Sequence, residues 1–438
     1  MTSLIILGGA LLFFVLLMVS IALHELGHLS FAKLFGVRTT QYMVGFGPTI
    51  WSRHRGETEY GFKWIPVGGY IRMIGMLPPR KGDPEGRLRK SSTGRFSALI
   101  DAAREGALEE VRPGDEDRVF YSKKWWQKTI IMFAGPAMNL LLAAFFFAVL
   151  IMGIGVQQSV PVVSSVAACA IPASDPHPDR ECTAAEKTGS PTPAAQAGLR
   201  PGDRFVTYNG VKVKNYDQLR GLIRDSGGRT VPAVIKRDGR TMTLSLNVTT
   251  NKMYDLKDTN KIVTVGFLGI TPAQDRVRGG FAEVGTTLGN MTTRTLDSLT
   301  QMPQKMVGVF KAAFGHEKRD PNGPIGVVGA SRIGGEILAS KNPVADKFEF
   351  FVLLLASINF AVGMFNLIPL LPLDGGHIAG ALWEGIKRGI ARLARRPDPG
   401  YVDVAKALPL TYAMAAVFMF MGALLIYADL VNPIHFSG

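Results

Sequence analysis

Basic stretches interleaved with aromatic residues, the usual footprint of a nucleic-acid binder, are missing from this chain, although its formal net charge is +14. Positive charge without that footprint fits basic loops beside an anionic lipid surface. Cysteine is scarce: Cys169 and Cys182 are the only two in 438 residues, which excludes a dense disulfide framework. Charge is thin as well, at 19% of residues against 47% hydrophobic. It is absent from four segments altogether: Leu4 to Leu23, Ile130 to Val156, Phe351 to Leu373 and Ala407 to Ala428. Each is long enough to cross a bilayer as a helix, which takes about 20 apolar residues. No small-residue cleavage pattern follows the first, so a removable signal peptide is not expected.

The distribution of Lys and Arg sets an orientation. Neither the first four residues nor the tail after Asp429 carries any. The loop after the first span holds Lys33, Arg38, Arg53, Arg55, Lys63 and Arg72, then Lys123, Lys124 and Lys128. The loop before the last span holds Lys387, Arg388, Arg392, Arg395, Arg396 and Lys406. Both loops are expected in the cytoplasm, and both termini and the segment from 157 to 350 outside it. Cys169 and Cys182 then fall in an oxidising compartment, either joined by a disulfide or as two free thiols.

At the inner end of the first span stands Leu23-His24-Glu25-Leu26-Gly27-His28. On a helix, imidazoles at i and i+4 share a face and can hold one zinc ion, with Glu25 as general base. A lone match of this kind also arises by chance, as interfacial polar residues. Ionisable residues beside a bilayer are costly, however, and usually functional. An open zinc site wants a third protein ligand. The third apolar segment supplies one. It carries Asn359, Asn366, Pro369 and Pro372 and ends Leu373-Asp374-Gly375-Gly376-His377. Proline and glycine break a membrane helix, which is tolerated only where it packs in protein or lines a polar cavity. Charge and length bring Asp374 to the same membrane depth as His24 and His28, so a His-His-Asp set is expected. Asn139, inside the second span, needs a polar partner, and the metal helix is the expected one.

Between these landmarks, Thr39 to Met73 reads as two extended runs around a polar turn at Ser52 to Glu57. It is either a hairpin dipping toward the bilayer or an ordinary cytoplasmic one. Pro, Gly and mixed charge from 78 to 118 indicate an insertion with one helix from Phe96 to Val111. Trp125 and Trp126 beside Lys123 and Lys124 suit an interfacial anchor. A compact domain is expected from Val160 to Val248, with Asn209-Gly210 as a tight turn and Tyr216 to Ile223 as a helix. Phe281 to Phe314 reads as an amphipathic helix.

The chain resembles the site-2 proteases, the zinc-dependent intramembrane metalloproteases, in their bacterial PDZ-containing branch, the regulator of sigma-E protease type. The resemblance rests on His24-Glu25-Leu26-Gly27-His28, Val44-Gly45-Phe46-Gly47-Pro48 and Ala134-Gly135-Pro136-Ala137-Met138-Asn139. It rests also on Ala197-Gly198-Leu199-Arg200-Pro201-Gly202-Asp203, Asn366-Leu367-Ile368-Pro369 and Leu373-Asp374-Gly375-Gly376. It departs from many relatives at Pro372, which lies one place later after Pro369. It implies Zn2+ and a polytopic α-helical membrane protein with four transmembrane helices. A membrane-associated β-hairpin and an extracytoplasmic α+β PDZ domain complete the implied fold. It implies cleavage of single-span membrane proteins, often anti-sigma factors already trimmed outside by another protease. The expected localisation is the bacterial inner membrane, with the site near its cytoplasmic side.

The expected organisation runs as follows: helix 1 with the zinc motif at 1–35, the hairpin at 36–76 and the insertion at 77–124. Helix 2 follows at 125–157, the PDZ domain at 158–250 and an amphipathic helical region at 251–347. Helix 3 is expected at 348–386, a cytoplasmic loop at 387–406 and helix 4 at 407–430. Within the site, His24, His28 and Asp374 are the expected ligands and Glu25 the catalytic base. Asn366 and Pro369 are expected to support the substrate or transition state, with Asn366 either steadying the substrate or oxyanion or satisfying backbone freed by Pro369. His377 and Asn139 are expected to support the ligands. His54, His177, His316 and His435 are expected at the surface. Two competing classes stand beside this reading. One is a membrane-anchored PDZ scaffold with a non-catalytic zinc site, which would want a fourth protein ligand and no base. The other is a zinc transporter, which the lack of further intramembrane carboxylates supports poorly.

Overall fold

A computed structural model of the chain describes residues 2–79, 95–171, 175, 180–189, 191–256, 262–315, 319–320 and 323–434. It divides into two compact units: residues 1–154 with 280–438, and residues 155–279.

The first unit is built on apolar helices. α1 (Thr2–Leu34) runs without interruption from the charge-free segment through the histidine motif. A long hairpin follows, β1 (Thr39–Arg55) and β2 (Thr58–Met73). Gly56 and Glu57 form one turn, but residues 41–44 pair with both 59–62 and 69–72, so the ribbon also folds back on itself. The pairing is repeatedly shifted by bulges, and Gly45 and Gly47 adopt positive φ there. Bulges bend and twist a ribbon, and Ile50, Trp51, Phe62, Trp64 and Ile65 stand exposed on it. α2 (Arg95–Glu109) is the insertion's helix. α3 (Trp125–Ala148) continues into a wider turn at Val149–Ile154.

The second unit begins with β3 (Val156–Val166), α4 (Ala184–Gly189), α5 (Pro193–Gln196), β4 (Arg204–Tyr208) and β5 (Val211–Lys212). α6 (Tyr216–Arg224), β6 (Thr230–Arg237), β7 (Arg240–Asn247), β8 (Thr249–Tyr254), β9 (Ile262–Phe267) and β10 (Ile270–Val277) complete it. The main sheet has the order β10-β3-β4-β6-β7, with β5 on β4, and β8–β9 form a separate hairpin. Asn209 and Gly210 both have positive φ, the conformation a two-residue hairpin turn requires. The core gathers Phe205, Tyr208, Leu219, Ile223, Ile235 and Leu246. The expected boundary at 250 falls short. β8, β9 and β10 occupy the start of the region expected to be helical, and β10 is an outer strand of the main sheet. Cys169 and Cys182 form a disulfide.

Asp203 is fully buried in this unit. It accepts from Arg237 Nε and Nη2, each at 2.6 Å, and from the Arg200 amide at 2.8 Å. Asp203 therefore uses its acceptors to build the unit. Burial alone would push its carboxyl up, but the Arg237 guanidinium and the Arg200 amide hold it below the usual carboxylate range. A depressed folded-state value gives stability that is present above about pH 4, the unfolded value, and lost on acidification through the folded one. Calorimetry of the chain should show the unit losing stability below about pH 4. Asp203→Asn should be less stable at neutral pH and flatter in acid; an unchanged acid slope would contradict this role.

The remaining helices close the first unit: α7 (Phe281–Phe314), α8 (Val327–Ala339), α9 (Val344–Asn366), α10 (Asp374–Leu393) and α11 (Leu408–Val431). The segment expected as one helix over 348–386 is two, because residues 367–373, with both prolines, leave the helix. Among the described residues, four helices are long and apolar enough to span a membrane: Leu7–Leu34, Trp125–Ile154, Val344–Asn366 and Val404–Val431. α3 packs against α1, α9 and α10. Close approach needs small residues: a Cβ on Gly27 would sit 2.5 Å from the Ala134 carbonyl oxygen. Polar ties fix the register of these apolar helices. Asn359 Nδ2 donates to Ser20 Oγ at 3.0 Å, linking α9 to α1. Lys128 Nζ meets Glu384 Oε2 at 2.8 Å, linking α3 to α10. Asp429 of α11 accepts from Arg319 Nη1 at 2.7 Å and from the Gly329 amide at 2.8 Å.

Candidate metal centre

His24 and His28 sit one turn apart on α1 and are both buried. Their rings meet edge to face, with centroids 4.8 Å apart. Each ring has one nitrogen committed. His24 Nδ1 lies 3.0 Å from Asn139 Oδ1, and His28 Nδ1 lies 2.8 Å from the Ile131 carbonyl oxygen, both on α3. Two carbonyl-type acceptors want N–H there, which leaves a lone pair on each Nε2. Those two nitrogens face each other at 3.2 Å. Asp374, at the start of α10, places Oδ2 3.3 Å from both. Its position follows from the glycines after it. A Cβ on Gly375 would come within 2.6 Å of Leu367 and Ile368 backbone carbons, and one on Gly376 within 2.6 Å of the Leu371 nitrogen. Only glycine lets the broken connection fold back onto this helix start.

Three lone-pair-bearing atoms thus converge, and Asp374 Oδ2 is buried without a hydrogen-bond donor. Such a cluster repels itself unless a cation sits among it. The spacing fits zinc: tetrahedral ligands about 2.0–2.1 Å from the ion stand about 3.3–3.4 Å apart. Among the described residues, His24, His28 and Asp374 form a group that could hold a metal ion.

The cluster opens on a cavity of about 460 Å³. Glu25, Asn366, Pro372 and His377 line it, as does the β2 stretch Gly68–Ile71. The β2 backbone passes close over the carboxylate: a Cβ on Gly69 would stand 3.0 Å from Glu25 Cγ. Pro369 lies in the connection between α9 and α10, off the cavity wall. His54 is exposed; His177, His316 and His435 lie outside the described residues. Gly135 is a site residue that pattern reading passes over. A Cβ there would stand 2.6 Å from His28 Cδ2 and Cε1 and nearer still to Nε2. In the sequence it stands within Ala134-Gly135-Pro136-Ala137-Met138-Asn139, where nothing tells that it faces His28.

A family model for peptidase family M50 matches residues 12–396. The chain belongs to peptidase family M50. It is similar to Zinc metalloprotease Rip1 of Mycolicibacterium smegmatis, 34% identical over 97% of this chain and 98% of that one. It is 33% identical to Zinc metalloprotease Rip1 of Mycobacterium tuberculosis, over 98% of each chain. Metalloprotease MmpA of Caulobacter vibrioides is 26% identical over 85% of each. This M50 peptidase is thus a metalloprotease, and its four spanning helices make it a membrane protein.

The His24 Nδ1–Asn139 Oδ1 contact can be tested directly. Groups that orient a ligating imidazole are worth about 10–100-fold in metal affinity. Asn139→Ala should weaken zinc retention by about that factor, read by competition with a chelator, and Asn139→Asp should restore most of it. Unchanged retention in Asn139→Ala would remove Asn139 from this role.

Proposed function

We propose that this M50 metalloprotease is an intramembrane endopeptidase that cuts single-span membrane proteins in regulated intramembrane proteolysis. Zinc is its metal, held by His24, His28 and Asp374. The convergence of those donors at the ends of apolar helices, with Glu25 in the same cavity, carries the reading. Bound there, zinc supplies Lewis acidity for a peptide carbonyl and for water.

The remaining roles belong to the chain. Glu25 takes a proton from the attacking water and returns it to the leaving amine. Asn139 and the Ile131 carbonyl hold both imidazoles in the tautomer that leaves Nε2 free. Asn366, at the end of α9 and on the cavity wall, orients the substrate backbone or the developing oxyanion. A helical substrate hides its carbonyls and must unwind first. β2 runs along the cavity through Gly68–Ile71, so an unwound segment can add to it as a strand. The exposed Trp51, Phe62 and Trp64 of the hairpin suit contact with lipid.

The charge bias supports both termini and the second unit outside the cytoplasm of a bacterial inner membrane, with the site near the inner face. The second unit is read as a PDZ domain, a size filter or a reader of new C-termini. Anti-sigma factor-like proteins, already cut once outside, are the substrate class. The test is to follow epitope-tagged single-span proteins in cells lacking the chain. A substrate should accumulate, and re-expression should restore a cut that mass spectrometry maps within its span. A restored cut mapped only to a soluble domain would overturn the proposal.

A further inference from the structure

Away from the catalytic cavity, the first unit holds a second one of about 940 Å³. Its wall includes Arg104 from the insertion helix α2, Trp383 and Lys387 from α10, and Tyr401, Asp403 and Lys406 from the connection to α11. Three cations and one carboxylate therefore share it. The carboxylate is already taken. Arg104, 2% exposed, binds both oxygens of Asp403 through Nη2 at 2.5 and 2.6 Å. Lys387 has the face of Trp383 at 5.9 Å. Neither Lys387 nor Lys406 has an acidic partner among the described residues. Arg388 occupies the nearby acids instead, meeting Glu384 at 3.1 Å and Asp398 at 3.6 Å. Among the described residues, two ammonium groups thus face one cavity without a counter-ion of their own.

Its depth follows from the ends of two spans. The membrane helix Val404–Val431 begins at the cavity wall. The helix Trp125–Ile154 begins at Trp125, whose indole lies against Gly385 of α10, where an added Cβ would stand 2.7 Å from the ring. Half-exposed Trp383 and Tyr401 line the same cavity, as suits amphipathic aromatics that settle between headgroups and acyl chains. Pro78, Ile100 and Trp383 add an apolar wall. Basic pockets at this depth on the cytoplasmic side bind anionic headgroups.

We infer that this cavity is a binding site for the phosphate-bearing headgroup of an anionic phospholipid, with Lys387 and Lys406 as its cationic contacts. Arg104 serves it indirectly: it neutralises Asp403 and pins α2 as one wall. The inference is independent of which substrate the enzyme cuts.

The test uses the full chain purified in nonionic detergent. Native mass spectrometry and thermal unfolding are followed while phosphatidylglycerol, phosphatidylcholine or inorganic phosphate is added. Phosphatidylglycerol should bind and raise the melting temperature, and phosphatidylcholine should do neither. Lys387→Gln with Lys406→Gln should weaken phosphatidylglycerol binding about thirtyfold, from about 1 kcal/mol per basic residue near a lipid surface. The paired Lys→Arg variant should keep it, and Arg392→Gln with Arg396→Gln, off this wall, should leave it unchanged. Equal binding by the parent and the Lys→Gln pair would overturn the site. Inorganic phosphate that displaces the lipid and gives the whole thermal shift alone would overturn the lipid source, leaving a soluble phosphate site.

Discussion

Glu25→Gln is expected to abolish cleavage of a reconstituted single-span substrate while leaving the protein's zinc in place. The side chain follows His24 on α1 and lines the same cavity as the three donor atoms. Glutamine keeps its size and its fit beneath Gly69, where the β2 backbone leaves little room. What it loses is the basic oxygen that takes a proton and gives it back. Positioned acid–base groups contribute about 10²–10⁴-fold, so the turnover rate should fall by at least that factor. Zinc measured by elemental analysis and the thermal midpoint should match the parent, because Glu25 is not among the three converging donors. Cleavage at the parent rate would remove Glu25 from catalysis. Loss of zinc together with activity would show instead that it holds the metal.

The parts of this site that were legible in the sequence are those whose chemistry is carried by residue type. Two histidines at helical spacing and an Asp-Gly-Gly after a proline-broken apolar run imply a ligand set. Charge and span length put them at one depth before any coordinates. Asn139 was legible for a similar reason: an amide within an apolar helix must find a partner, and it finds His24 Nδ1. The hairpin and the amphipathic helix α7 were legible as period and punctuation. What escaped is set by space rather than by polarity. Gly135 looks like any helix glycine until His28 is seen against it. Nothing local joins Arg104 in the insertion to Asp403 ahead of the last span, since a contact between distant segments leaves no mark at either one. The second unit's boundary fell short because β8–β10 lack a turn signal as strong as Asn209-Gly210. α8 fell within the helical region expected at 251–347 but was not delimited, because its apolar face has small residues, Gly334 and Gly335 among them, that serve helix contact.

That class of hidden constraint gives the other large expected effect. Gly135→Ala should cost the protein both its zinc and its activity without costing it its fold. The added methyl would lie 2.6 Å from two carbons of the His28 ring and closer to Nε2, the atom facing His24 and Asp374. No carbon–carbon contact is stable at that distance, so the ring has to move by about an ångström, well inside the attractive range near 3.5–4.0 Å that packing seeks. It cannot move freely. His28 Nδ1 is tied to the Ile131 carbonyl, on the same helix that carries the new methyl. A shift therefore breaks that bond, or the 3.2–3.3 Å triangle of donors, or both. Displacements of about 1 Å in a reacting constellation cost about 10²-fold in rate, before any loss of metal is counted. Helix energetics point the other way: alanine is favoured over glycine inside a helix by about 0.5–1 kcal/mol. Overpacking costs about 1–3 kcal/mol, so the thermal midpoint of the metal-free variant should fall by only about a few degrees below that of the metal-free parent, while zinc content and cleavage collapse. Gly389→Ala, on α10 with nothing within 4 Å of its added carbon, should change none of these. A Gly135→Ala enzyme that keeps its zinc and its rate would mean that His28 does not need the position seen here, and the three-donor centre would have to be drawn differently.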